Sequence, residues 1–211
     1  MKNSKPISPR VQRNRNAATA SILEAARAIM REEGVAALSM HELARRMDMR
    51  APSLYNYFSS KMEIYDALFR LGFTLWKDIL ETLETESHNI RDELRNVITS
   101  YMTFALENPE LYQLCFERPV PGFIPSQESL DLSFGVLNAS RQRIKHFKKE
   151  LQTNLTVNQI VDLVIAIAHG LTAMHLANEP YLPVGKGRFG SLIPAAMSML
   201  EAHLIVKGET Q

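Results

Sequence analysis

The sequence predicts an all-α protein: a three-helix N-terminal head built around a helix-turn-helix, followed by a larger helical body. Three observations carry this. No stretch of the 211 residues sustains the period-two alternation of a half-buried strand. Apolar residues recur instead at helical spacing in one segment after another. Two capping signals, Ser39-Met40-His41-Glu42 and Ser60-Lys61-Met62-Glu63, stand so close together that only two short helices fit between them.

The first helix is expected over 14–33, with Ile22, Ala25, Ala26, Ile29 and Met30 in one stripe. Gly34 closes it, because glycine accepts the left-handed turn past a helix end. Ser39 and Glu42 each satisfy an orphan amide of a short helix carrying Leu43, Ala44 and Met47. Asp48-Met49-Arg50 is a turn. Pro52 suits the first turn of a second short helix over 52–58, where its missing N–H costs nothing. The Ser60 box opens a long helix through Ile64, Leu68, Leu71 and Leu75 to about residue 83.

In the body, Ile90, Leu94, Val97, Ile98, Tyr101, Met102 and Ala105 mark one helical face, and Asn108-Pro109 separates it from a short helix over 110–117. Arg118-Pro119-Val120-Pro121-Gly122 is a loop by composition. Helices are expected over 127–152, over 156–178 (apolar nearly all round) and over 189–206, with a break at 180–187. The division is a head at 1–60, with a basic arm at 1–15, and a body at 61–211.

A hydrophobic share of 45% is that of a globular chain. One cysteine, Cys115, closes no intrachain disulfide and builds no zinc site alone, which fits a reducing compartment and a cytoplasmic protein. The opening MKNSKPISPRVQRNRN lacks the apolar core of a secretory signal, and the apolar run at 163–168 is too short for a bilayer. No glycine-rich phosphate loop, metal-spaced His/Glu pair or nucleophile elbow occurs, so neither an enzyme nor a metal or cofactor is expected. The net charge of +1 hides an asymmetry. Residues 1–61 carry eleven bases against five acids, a net of +6, and residues 62–211 carry −5. A basic head on an acidic body is the electrostatic footprint of a nucleic-acid-binding unit.

Two short helices joined by a tight turn and propped by longer ones let the second enter a major groove. Leu43, Ala44, Leu54 and Phe58 would be its buried pins. Residues 22–69, ILEAARAIMREEGVAALSMHELARRMDMRAPSLYNYFSSKMEIYDALF, resemble the TetR family of bacterial regulators: ILEAA, Gly34, LSM, ELA, PSLYNYF and the following Ser-Lys stand in its order and spacing. Asp48-Met49 departs from it, where the family often has glycine before a small apolar residue. The resemblance implies a DNA-facing set of Ser39, His41, Arg50, Ala51, Ser53, Tyr55, Asn56, Tyr57 and Lys61. Arg50 suits guanine and Asn56 adenine, while Lys61 and the amides above Ser39 suit phosphates. The plain alternatives are core packing for Tyr55 and a capping role alone for Ser39. Arg10, Arg13 and Arg15, with Lys2 and Lys5, form a basic arm that either reaches a minor groove or only solubilises the chain.

Beyond the head, PELYQLCFERPVPGF and the His169-Gly170 step resemble a subgroup of the family's ligand domains, although the tryptophan often found near that step is missing. Candidate ligand-lining residues are Trp76, Met102, Tyr112, Cys115, Phe116, Phe134, Met174 and His175, with His169 as a polar handle; plain core is the alternative for each. The helices at 156–178 and 189–206 have apolar surface to spare and are expected to form a homodimer. The implied partners are a pseudo-palindromic double-stranded operator and a small apolar or amphipathic effector that relieves repression, with no membrane. The competing expectation is a DNA-binding regulator without a small-molecule effector, controlled by a protein partner.

Overall fold

The computed structural model describes residues 8–205, apart from the side chains of residues 84 and 85. Within that range the chain is helical, and a single antiparallel bridge, Leu151 to Ile205, is its only extended pairing. The all-α expectation holds, and most differences lie at helix ends.

Helix α1 (Pro9–Glu33) starts five residues earlier than its apolar stripe implies. The Ser8 side chain accepts from the Val11 amide, and Pro9 occupies the first turn. Nothing in 9–20 interrupts a helix once it is nucleated from the packed turns that follow. Arg10, Arg13 and Arg15 are therefore helical, not part of a mobile arm; Lys2 and Lys5 lie outside the described residues. Gly34, at φ 95°, ends the helix and donates its N–H to the Met30 carbonyl.

A 3-10 turn (Val35–Ala37) leads to α2 (Met40–Arg46) and α3 (Ala51–Leu54). The Ser39 hydroxyl accepts from the Glu42 amide at 3.2 Å, but Glu42 does not reach back as expected: its carboxylate is held by Arg45 and Arg46 instead. Glu63 reaches one residue further than its box implies, accepting from the Ser59 amide and hydroxyl, both at 2.7 Å. The second short helix is regular for only four residues and then tightens through turns, with Tyr57 N–H on the Leu54 carbonyl at 2.9 Å.

Helix α4 (Lys61–Glu86) is the spine. It packs on α1 in the head and on α5 (Ile90–Glu107), α6 (Pro109–Phe116) and α7 (Gln127–His146) in the body. Helix α7 stops well short of residue 152: Phe147 turns inward, a 3-10 turn (Lys148–Glu150) follows, and Gln152 N–H meets the Leu204 carbonyl at 2.9 Å. Helix α8 (Val157–Asn178) opens on a complete Thr156–Gln159 capping box. The expected last helix is broken into α9 (Gly187–Gly190) and α10 (Ile193–Leu204). Pro194 lacks an N–H and so sits in a first turn, not a helix interior. Val206 lies outside the described residues.

Buried apolar side chains form one continuous cluster from Ile22 in α1 to Leu204 in α10, so head and body share a core across α4. Two polar links reinforce it. The Tyr65 hydroxyl donates to the Val35 carbonyl at 2.7 Å. The fully buried Glu110 of α6 accepts from Arg27 Nε at 2.7 Å and Arg31 Nη1 at 3.3 Å, while Arg27 Nη2 reaches Asn108 Oδ1 at 2.8 Å. In the body, Glu93 and Arg143 pair almost out of solvent, and Arg143 Nη1 donates to the Leu80 carbonyl at 2.8 Å.

The Arg27→Ala change strips Glu110 of its main partner and should destabilise the fold by roughly 3 kcal/mol, the cost of leaving one half of a buried ion pair. Urea unfolding would measure it, with Arg27→Met/Glu110→Leu expected to recover most of the loss. Gly72 presents a second test. A Cβ there would lie 2.6 Å from Cys115 Sγ, so α4 and α6 approach through the missing side chain. Gly72→Ala should cost about 1–3 kcal/mol through overpacking, and Cys115→Ala should relieve it in the same unfolding assay.

Candidate nucleic-acid interface and effector cavity

The head builds its exposed edge from inside outward. Leu43, Ala44, Leu54 and Phe58 are all buried, as the pattern of apolar pins requires. Between α2 and α3 the turn is closed by Met49 N–H on the Ala44 carbonyl at 2.9 Å. Asp48, at the position where the family often has glycine, adopts φ 50°. Aspartate tolerates this left-handed region better than most residues, so the turn survives the departure.

With the pins inside, the other residues of α3 face out. Arg50 caps α3 and is exposed, as are Asn56 and Tyr55; Ala51, Ser53 and Tyr57 are half-buried. Tyr55 is 51% exposed, which removes the core-packing alternative for it. Ser39 and His41 are exposed at the start of α2, with Ser39 also serving as its cap. Lys61 is exposed at the first position of α4.

The cations of the head fall into two groups. Arg46 bridges Glu32 at 2.6 Å, Glu33 at 2.8 Å and Glu42 at 2.8 Å, and Arg45 pairs with Glu42 at 2.7 Å. Hydrogen bonds from Arg45 and then Arg46 hold the Glu42 carboxyl down at about 2. Arg46 thus joins α2 to the end of α1, while Arg45 is held within α2. Among the described residues, Arg10, Arg13, Arg50 and Lys61 make no ion pair, which leaves their charge available to an anionic partner.

The candidate ligand residues divide. Trp76, Tyr112, Phe116 and His169 gather around Tyr101, with ring centroids 5.3–6.4 Å from it. The Tyr101 and Tyr112 hydroxyls lie 3.2 and 3.1 Å from His169 Nδ1. Burial pushes both phenols well above their ordinary range, so both keep their protons. Tyr101, at the centre, reads in sequence only as part of an apolar face; no local signal marks it out. Met102 is buried in the same core, and the Cys115 sulfur sits against the Phe69 carbonyl at 3.7 Å. Three candidates do not join them. Phe134 and Met174 stand on the outside, 55% and 47% exposed, because the faces of α7 and α8 that carry them turn away from the bundle. His175 is buried elsewhere, donating Nε2–H to the Leu182 carbonyl at 3.0 Å beside Gly190, and so braces the chain between α8 and α9.

A cavity of about 880 Å³ opens instead between α4 and α7. Leu80, Leu132, Val136, Ala139 and Phe147 supply its apolar wall, and Lys77, Glu81, Asp131, Gln142, Arg143 and His146 its polar groups. None of the nine expected ligand residues lines it. The signal in the sequence was Gly135 and Ala139, small residues four apart on one face of α7, which leave room beside α4.

The two short helices, pinned from beneath and edged by unpaired cations, have the geometry of a helix-turn-helix. Residues 22–68, in the N-terminal part of the chain, match the family model described as "Bacterial regulatory proteins, tetR family". It is 33% identical over 92 residues to the uncharacterised HTH-type regulator YobS of Bacillus subtilis, covering 44% of this chain and 48% of YobS. It is 32% identical over 98 residues to the transcriptional activator FasR of Mycolicibacterium smegmatis, covering 46% and 44%. The chain thus spans about half the length of the curated relatives it matches. The fold extends further. A regulatory protein, SCO4313, superposes with a TM-score of 0.73 at 22% identity over 94% of this chain and 100% of its own. The regulator FadR of Bacillus subtilis, solved with stearoyl-CoA, gives 0.65 at 15% over 86% and 96%. These relatives are named as regulators, not enzymes.

Two of the unpaired cations, Lys61 and Arg50, should separate in a binding assay. Lys61→Ala should weaken binding to every duplex and make the salt dependence shallower by about one unit. Arg50→Ala should relax preference at one base position at a cost of about 1–3 kcal/mol. Equal losses on all sequences from both variants would remove Arg50 as a reader of bases.

Proposed function

We propose that this protein is a homodimeric transcriptional repressor that reads a pseudo-palindromic operator through α3 and releases it when a small amphipathic effector enters the cavity between α4 and α7. The observation that carries the reading is the edge of the head: Arg50 and Asn56 exposed on either side of a short helix pinned from beneath, with exposed Lys61 at the start of α4. Ser39, His41, Ala51, Ser53, Tyr55 and Tyr57 complete the DNA-facing set. Residues 1–60 act as the reading head and 61–211 as the effector and dimer body.

The dimer follows from α8 and α10. Helix α8 is long and apolar enough, by length and composition, to cross a membrane. Its Ile160, Val161, Val164 and Ala168 side is buried, and the helix packs on α5 and α7. Ile165 and Met174 on its outer side, with Leu192 and Met199 beside and on α10, remain exposed. A two-fold partner presenting the same surface covers them with like residues. Two heads then meet successive major grooves about 34 Å apart. A protein that works on operator DNA in this way is cytoplasmic.

Release works through α4, which begins at Lys61 directly after the reading segment and lines the cavity with Lys77, Leu80 and Glu81. An effector that binds better when α4 stands away from α7 favours a head spacing that misfits the operator. The apolar wall and the mixed polar groups suit a ligand with an apolar body and a charged head.

Selection of the full chain against a randomised duplex pool should enrich an inverted repeat with half-sites a whole number of helical turns apart; enrichment of no sequence would end the reading. On the selected duplex, stearoyl-CoA, the ligand of one fold neighbour, is the first effector to titrate. A Cβ at Gly135 meets nothing within 4 Å, so Gly135→Phe should fill the cavity, retain operator binding and abolish ligand-induced release. Undiminished release from this variant would place the effector elsewhere.

A further inference from the structure

The first acid in the chain is Glu24, and before it stand five lysines and arginines. The described part of this stretch is the start of α1, where every residue from Ser8 to Ala17 is exposed. It lies beyond the apolar stripe, and the Ser8 cap and a Gln12–Asn16 side-chain bond at 2.9 Å are its local supports. Its place is set by Arg15, whose Nη2 donates to the backbone carbonyl of Asn56 at 3.3 Å. The extension therefore lies alongside the end of the segment proposed to read bases. Arg10 and Arg13, three residues apart on one face, project from the other side, roughly 150° around the helix from Arg15.

We propose that this helical extension is a second DNA-binding element, in which Arg10 and Arg13 neutralise backbone phosphates outside the stretch covered by α3. The inference rests on the operator-binding reading above and deepens it. Charge selects the partner: a cationic helix with no acid of its own attracts a polyanion. The apolar content is too small for the alternatives. Val11 is the one large apolar side chain between Pro9 and Ser21, so the extension has no face to lay on a bilayer or in a groove of a partner protein. Gln12, Asn14 and Asn16 add side chains that can donate to phosphate oxygens. Docking beside Asn56 brings these groups to the same nucleic acid as Arg50.

The test uses the full chain and a fluorescein-labelled 30-base-pair duplex of arbitrary sequence, with anisotropy followed over a KCl series. Removing one phosphate-neutralising cation should lower the slope of log K against log salt by about 0.9. Arg10→Ala/Arg13→Ala should therefore be shallower than the unmodified chain by roughly two units per chain. Arg10→Lys/Arg13→Lys should restore the slope, since charge and not fork geometry is at work. Alanine keeps the helix, and circular dichroism of the variants should be unchanged. An unaltered slope in the double-alanine variant, in a series where Lys61→Ala lowers it, would make the extension a solubilising tail and overturn the inference alone. Absence of salt-dependent binding by the unmodified chain would overturn the operator-binding reading and this inference with it.

Discussion

The carboxylate of Glu110 is fully buried at the start of α6, and its main compensation is the pair of guanidinium groups that α1 brings to it. Taking a charge out of water costs several kcal/mol unless a partner of opposite sign is held in good geometry. The arrangement is therefore intolerant of displacement. If α1 moves away from α6, Glu110 is left without its ion pairs, with one oxygen that already lacks a partner within the protein. The consequence is mechanical. The head is tied to the body at α1–α6 as well as through the continuous helix α4, and the Tyr65 bond to Val35 adds a third point.

The same logic separates structural from available charge in the head. Arg45 and Arg46 carry the same charge as Arg50 and stand within five residues of it. Arg45 is taken up by Glu42 within α2, and Arg46 by Glu42, Glu32 and Glu33, which fastens α2 to the end of α1. Among the described residues, Arg10, Arg13, Arg15, Arg50 and Lys61 make no ion pair and are distributed from the tip of α1 to the start of α4, Arg15 being held by the Asn56 carbonyl. Cations without internal partners keep their full attraction for an external polyanion, so the pattern of pairing is itself an argument about where an acidic partner lies.

In the body, polar groups that suggest chemistry in the sequence are used for packing. His169 closes an aromatic cluster with Tyr101 and Tyr112, and His175 braces the chain between α8 and α9. The cavity opens where side chains are small, beside Gly135 and Ala139, with the Arg143–Glu93 pair next to it. That pair joins α7 to α5, and Ser126 at the start of α7 donates its amide and hydroxyl to Asp66 of α4. Helix α7 is thus anchored near both ends, with the cavity along its length.

The helix-turn-helix was legible in the sequence almost residue by residue, because its determinants are local: Ser39 and Ser60 as caps, Gly34 as a stop, Pro52 in a first turn, and apolar pins at helical spacing. The exposure of Arg50 and Asn56 follows from those pins. Helix ends were less legible. The start of α1 has no apolar stripe to announce it, and α7 stops early because Phe147 and Leu151 find partners that are distant in the chain. The helical class, the place of the short pinned helix and the basic character of the head were readable from the amino acids alone, since all depend on neighbours within a few turns. The three-dimensional packing alone settled which arginines remain unpaired, that Tyr101 centres an aromatic cluster, and that a cavity opens between α4 and α7. Each of these depends on which side chains from separate helices meet, and no periodicity within one helix specifies that.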